Sequence, residues 1–173
     1  MSEVSGAEER GRQLFLDCDG VLADFDSHAE RIFGLPPRQA QAEIGSERFW
    51  AELRNRPDFY RKLPLMPDAQ QLFNAVKHLD PIILTGCPLG GWAEPQKLAW
   101  AAEHFPGTRM ITCLSIDKRL HMKSGDVLVD DYLKYCQRWE EAGGIFIYYS
   151  NADSAIAEIG RHFPIKTQAS AST

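Results

Sequence analysis

Long apolar runs are absent from this chain. The longest uninterrupted ones, residues 98–102 and 145–149, are five residues each, whereas a membrane-spanning helix needs about 20. A soluble protein with no membrane partner is therefore expected. Basic charge is also scarce, with 19 Lys and Arg against 24 Asp and Glu and a net charge of −5. Sequence-blind binding to a nucleic-acid polymer or an anionic bilayer draws on clustered positive charge, so neither is an expected partner. Cysteine is sparse as well. Cys18, Cys87, Cys113 and Cys136 lie far apart, with no C-x-x-C and no histidine pair at zinc spacing, which excludes a disulfide scaffold or a zinc ribbon. They read as reduced thiols in a cytoplasmic protein. Residues 1–13 hold three glutamates and no apolar stretch, so no secretion signal is expected there.

What is present is ordinary globular composition: 173 residues, 44% of them hydrophobic. A chain of this length buries about 70% of its unfolded surface in one compact domain, without metal or disulfide staples. Residues 1–13 and 166–173 have the polar composition of disordered tails, which leaves 14–165 as the folded unit. Within it lie five short β-rich runs, at residues 14–18, 82–85, 109–113, 127–130 and 145–149. Most are apolar on successive residues, the signature of strands buried on both faces of a parallel sheet. Helical segments over 68–79, 94–105 and 131–142 separate them and end at Asp80-Pro81, Pro106-Gly107 and Gly143-Gly144. The alternation predicts an α/β, doubly wound parallel sheet of about five strands, with ligands beyond the strands' carboxyl ends.

One interval is about twice the length of a single crossover. It follows the first strand and contains Ser27-His28-Ala29-Glu30, a capping-box start running to Gly34, then Pro36-Pro37, then Ser46 ahead of a helix with Phe49 and Trp50. A small helical cap over about 24–66, inserted after the first strand, is expected there.

The first strand runs out as Leu14-Phe15-Leu16-Asp17-Cys18-Asp19-Gly20, and residues two apart on a strand face the same way. The fourth ends as Val127-Leu128-Val129-Asp130-Asp131. A parallel sheet can bring all four carboxylates to one edge, where their repulsion raises pKa values and calls for a cation. Hard oxygen ligands suit Mg²⁺ better than zinc. Taken alone, such aspartates would cap helices, Thr85 would be a turn residue, and Lys118 would be a solvated lysine. The order carboxylate pair, Thr, Lys, carboxylate pair, each at a strand end or in the next loop, points to chemistry on an anion.

Through Asp17-Cys18-Asp19-Gly20-Val21, Thr85-Gly86, Lys118 and Asp130-Asp131, the chain resembles the haloacid dehalogenase (HAD) superfamily of phosphohydrolases. The segments Gly20-Val21-Leu22-Ala23-Asp24-Phe25, Phe59-Tyr60-Arg61-Lys62-Leu63-Pro64-Leu65-Met66-Pro67 and Lys97-Leu98-Ala99-Trp100 look like the 5′(3′)-deoxyribonucleotidase family within it. The resemblance implies an Mg²⁺-dependent phosphomonoesterase that works through an aspartyl-phosphate. Asp17 would be the nucleophile and Asp19 the acid and then the base. Gly20 would turn the backbone toward the phosphoryl oxygens, which Thr85 and Lys118 would hold, with Lys123 as a rival lysine. The family places this lysine in an Asp-Lys pair such as Asp117-Lys118. Mg²⁺ would be bound by Asp17, the main-chain carbonyl of Asp19 and the Asp130-Asp131 pair, with Asp131 as direct ligand.

Phe25, Phe49, Trp50 and Tyr60 would either stack on a nucleobase or form the cap's own core, with Phe25 and Trp50 the better stacking candidates. Gly86 stands where the nucleotidases usually carry a serine that contacts phosphate, and the insert looks shorter than in the animal enzymes. His28 reads as a surface histidine and Cys18 as buried packing. The expected substrate is a small phosphate monoester, first of all a nucleoside monophosphate. Another small phosphate ester is the alternative, and a homodimer is the assembly to test for. A phospho-accepting receiver domain, the reading from a different class, would lack Asp19 and the long insert.

Overall fold

A computed structural model of the chain describes residues 11–165. Its frame is one sheet of five strands, β1 (Leu14–Leu16), β2 (Ile82–Gly86), β3 (Met110–Cys113), β4 (Val127–Asp130) and β5 (Ile145–Tyr148), in the order β3-β2-β1-β4-β5. Every pairing is parallel, with Phe15 in register with Ile82 on one side and Leu128 on the other. The doubly wound parallel sheet expected from the runs of successive apolar residues is therefore what forms. Leu14 and Leu16 pack into the larger core while Phe15 packs into a second cluster with Leu84, Leu128 and Trp139. Apolar residues on both faces of a central strand bury both faces of the sheet.

β1 is shorter than the run 14–18, because after Leu16 only the Asp17 N–H continues the ladder, donating to the Val129 carbonyl at 2.9 Å. The Cys18 carbonyl then accepts from the N–H groups of Val21, Leu22 and Ala23, closing a tight turn around the site. Residues 1–10 and 166–173, most of the two expected tails, lie outside the described residues. Gln13, counted in the first tail, is anchored: its N–H donates to Asp126 Oδ1 and its carbonyl accepts from Val127 N.

Three helices follow the turn, α1 (Phe25–Phe33), α2 (Pro37–Ile44) and α3 (Ser46–Arg54). The first begins earlier than the Ser27 capping box suggested, because the Asp24 side chain accepts from Ser27 N and takes the N-cap position itself. The chain enters and leaves this layer side by side: Asp24 N donates to Pro64 O and Met66 N to Leu22 O, both at 2.8 Å. The remaining helices are α4 (Ala69–Val76), α5 (Glu94–His104), α6 (Cys136–Glu141) and α7 (Ala152–Ile159), the last not foreseen from the sequence. α6 starts five residues later than expected, since the Asp130 carboxylate accepts from Tyr132 N and holds that stretch out of the helix. No helix among the described residues is long and apolar enough to cross a membrane.

Candidate active site

The carboxyl ends of β1 and β4 are neighbours in the sheet, so Asp17 and the Asp130-Asp131 pair converge. Oxygens of these three carboxylates lie within 4.8 Å of one another. Lys118, on the 3-10 turn Ser115–His121, reaches in from the loop after β3 and donates to Asp17 Oδ1 and Asp130 Oδ2, each at 2.7 Å. It is buried, whereas the rival Lys123 is exposed and its side chain takes no part in the cluster. Burial works against the charge of Lys118, but the two carboxylates outweigh it and keep its pKa above the ordinary lysine range.

The acidic side of the cluster is strained in the opposite sense. Burial, then the charge of Asp17, pushes Asp130 up to about 7 against the pull of Lys118. Asp131 is pushed up to about 7 by burial, then by Asp17 and Asp130. Carboxylates held so close that they retain protons near neutrality form a donor set that a hard divalent cation would relieve. Asp17, Asp130 and Asp131 would hold it; the side chain of Asp19 is elsewhere.

Gly20 lies at φ +81°, and a Cβ there would overlap the carboxylate of Asp131. The glycine thus lets Asp131 approach the β1 turn, a role beyond permitting the turn. Its own N–H does not face an oxyanion, since it donates to the Ala23 carbonyl at 2.8 Å.

Asp19 is served by a residue given no role from the sequence. Lys97 on α5, only 1% exposed, donates to Asp19 Oδ2 at 2.6 Å, to Thr85 Oγ1 at 2.9 Å and to the Gly86 carbonyl at 2.8 Å. All three of its hydrogens have acceptors, so it stays charged although burial opposes this. The second Asp19 oxygen, Oδ1, is buried with no partner. Burial raises the Asp19 pKa despite Lys97, with the nearby Asp17 adding to the rise. A signal for Lys97 was present: it shares the buried face of α5 with Trp100 and Ala101, three and four residues on.

Thr85 sits at the end of β2 as expected, but it is wholly buried and its hydroxyl accepts from Lys97. The wall beside it is made by Gly86 and Ser115, which line a cavity of about 620 Å³ together with Asp17, Asp19 and Lys118. Phe25, Phe49, Trp50 and Tyr60 all line the cavity but differ in burial. Phe33 and Phe49 stack at 4.7 Å and Phe49 is buried. Tyr60 is also buried, its ring 4.5 Å from Lys97 Nζ. Phe25 and Trp50 are half-buried and line the cavity, their ring centroids 6.2 Å apart. His28 is half-buried against Phe59 at 5.2 Å and not a free surface group. Cys18 is buried in the larger core, where burial raises its thiol pKa.

The sequence matches no family model and no curated protein. Solved structures do match in shape. A HAD-superfamily hydrolase from Ehrlichia chaffeensis superposes with a TM-score of 0.53 at 12% identity, covering 86% of this chain and 96% of its own. A hydrolase from Streptococcus pneumoniae TIGR4 gives 0.52 at 12% identity over 86% and 98%. L-2-haloacid dehalogenase from Xanthobacter autotrophicus gives 0.52 at 18% identity over 88% and 83%. With its five-stranded all-parallel sheet, this chain has the HAD-like α/β fold of these hydrolases.

Proposed function

We propose that the protein is an Mg²⁺-dependent phosphomonoesterase acting on nucleoside monophosphates through an aspartyl-phosphate. The observation that carries the reading is the different setting of two carboxylates two residues apart. Asp17 lies in the carboxylate cluster with Lys118 on one oxygen. Asp19 lies outside it, with a raised pKa and one oxygen unpartnered. Two carboxylates held in such different surroundings support separate roles for them.

Asp17 attacks phosphorus in line, forming its O–P bond as the ester O–P bond breaks. Asp19 gives its proton to the departing alkoxide, and as the carboxylate it then takes one from the water that attacks the Asp17 phosphate. Lys97 fixes Asp19 through Oδ2, which leaves Oδ1 to carry the proton. Its bond to Thr85 Oγ1 ties the end of β2 to the same lysine, and the threonine hydroxyl itself donates to the Gly86 carbonyl at 3.4 Å. Lys118 counters the negative charge of Asp17 and of the incoming phosphoryl group. Mg²⁺ held by Asp17, Asp130 and Asp131 would supply further charge neutralisation, which lets an anionic nucleophile meet an anionic ester.

Phe25 and Trp50 offer aromatic faces on the cap side of the same cavity, the support for a nucleobase. A second substrate reading keeps this chemistry but adds an acid group to the ester, because Arg38, Arg119 and Arg138 also line the cavity. A panel of monoesters assayed with wild type and Trp50→Ala separates the two. A nucleotidase loses roughly ten- to a hundredfold in kcat/KM for nucleotides on loss of a stacking ring, and almost nothing for a small aryl phosphate. Equal losses on both, with a lowered Tm, would assign Trp50 to the cap's core. A preference for dianionic carboxylated esters would favour the arginine reading.

A further inference from the structure

We infer that Ser115 is a phosphate-binding residue whose hydroxyl takes the space beside Gly86; this rests on the phosphatase reading above. A Cβ built on Gly86 would overlap Ser115 Oγ, so the serine hydroxyl occupies the space that a side chain at 86 would fill. The strand register brings the two residues together. Gly86, the last residue of β2, is in register with Cys113, the last residue of β3, and Ser115 opens the 3-10 turn two residues later. Residues three apart in a 3-10 helix eclipse one another, so Ser115 lies on the same face of that turn as Lys118. Both line the cavity that holds Asp17.

The neighbouring threonine does not serve the same wall. Thr85 is wholly buried with its oxygen committed to Lys97, whereas Ser115 is half-buried and lines the cavity. A cavity-lining hydroxyl on the same face of the turn as the buried Lys118 is placed to donate to a phosphoryl oxygen, and hydrogen bonds to charged groups are among the stronger ones.

The test uses the Mg²⁺-loaded full chain, with inorganic phosphate as the binding probe by calorimetry and p-nitrophenyl phosphate as the substrate. Ser115→Ala is expected to weaken phosphate binding and to lower kcat/KM by roughly ten- to a hundredfold in each. Gly86→Ser alone crowds the existing hydroxyl and loses activity. The exchange Gly86→Ser with Ser115→Gly moves the hydroxyl across the gap and recovers most of both losses. Recovery also separates binding from folding if Ser115→Ala lowers the Tm. An active wild type beside a Ser115→Ala variant of unchanged phosphate Kd and kcat/KM overturns the inference alone, as does an exchange variant no better than Ser115→Gly. A wild type that neither binds phosphate nor hydrolyses any monoester overturns the function reading, and this inference with it.

Discussion

Replacing Lys97 by methionine keeps most of the side chain's volume and removes one buried charge that serves three acceptors. Breaking one partner out of a buried ion pair typically costs about 3–5 kcal/mol, because the remaining charge is left without compensation. Asp19 Oδ2, Thr85 Oγ1 and the Gly86 carbonyl all lose their donor, so the upper part of that range applies. In a chain of this size each kcal/mol lowers Tm by roughly 2–4 °C, giving an expected drop of roughly 10–20 °C. The loss should also depend on pH. Without the lysine, burial raises the Asp19 pKa further, so the carboxyl neutralises itself in mildly acidic solution and the destabilisation is greater at pH 8 than at pH 5. Thermal and urea unfolding of Lys97→Met, Asp19→Asn and the double variant form the assay. The double variant contains no buried unpaired charge and should be more stable than Lys97→Met by more than about 1 kcal/mol. A Lys97→Met protein within about 1 kcal/mol of wild type at pH 8, with additive single effects, would refute the reasoning.

Asp19→Asn should slow hydrolysis of an alkyl ester, whose leaving group needs a proton, far more than that of an activated phenol; stopped assays on the two esters measure this, and equal losses would remove Asp19 from the acid role. The metal-free protein should lose stability between about pH 4 and pH 7, since Asp130 and Asp131, raised to about 7 when folded, bind protons there that the unfolded chain has released. Mg²⁺ should therefore raise Tm more at pH 8 than at pH 5, and its apparent affinity should fall as the pH drops through 7. Equal Mg²⁺-induced Tm shifts at both pH values would contradict this.

The sheet was legible because its strands are apolar on successive residues, a pattern tied directly to burial on both faces. The carboxylate edge was legible because it lies at the ends of two such strands. What escaped depends on contacts across the fold. Lys97 is 78 residues from Asp19, so its place on the buried face of α5 marks it as buried without naming the carboxylate it meets. The Ser115 hydroxyl is meaningful only once the register of β2 against β3 sets it over Gly86. Local signals also competed. Asp24 and Ser27 both cap helices well, and the bond from Ser27 N to Asp24 decides for the earlier start. Thr85 lies near the end of β2, and the packing of α5 turns its hydroxyl to Lys97 and off the cavity wall.

If Asp17 carries the phosphoryl group during turnover, the aspartyl-phosphate can be trapped. The protein is mixed with Mg²⁺ and a ³²P-labelled nucleoside monophosphate, quenched in acid during turnover and digested. A label that hydroxylamine removes is expected on the peptide containing Asp17, and none in Asp17→Asn. Steady hydrolysis with no label on that peptide, or a label that persists in Asp17→Asn, would contradict it.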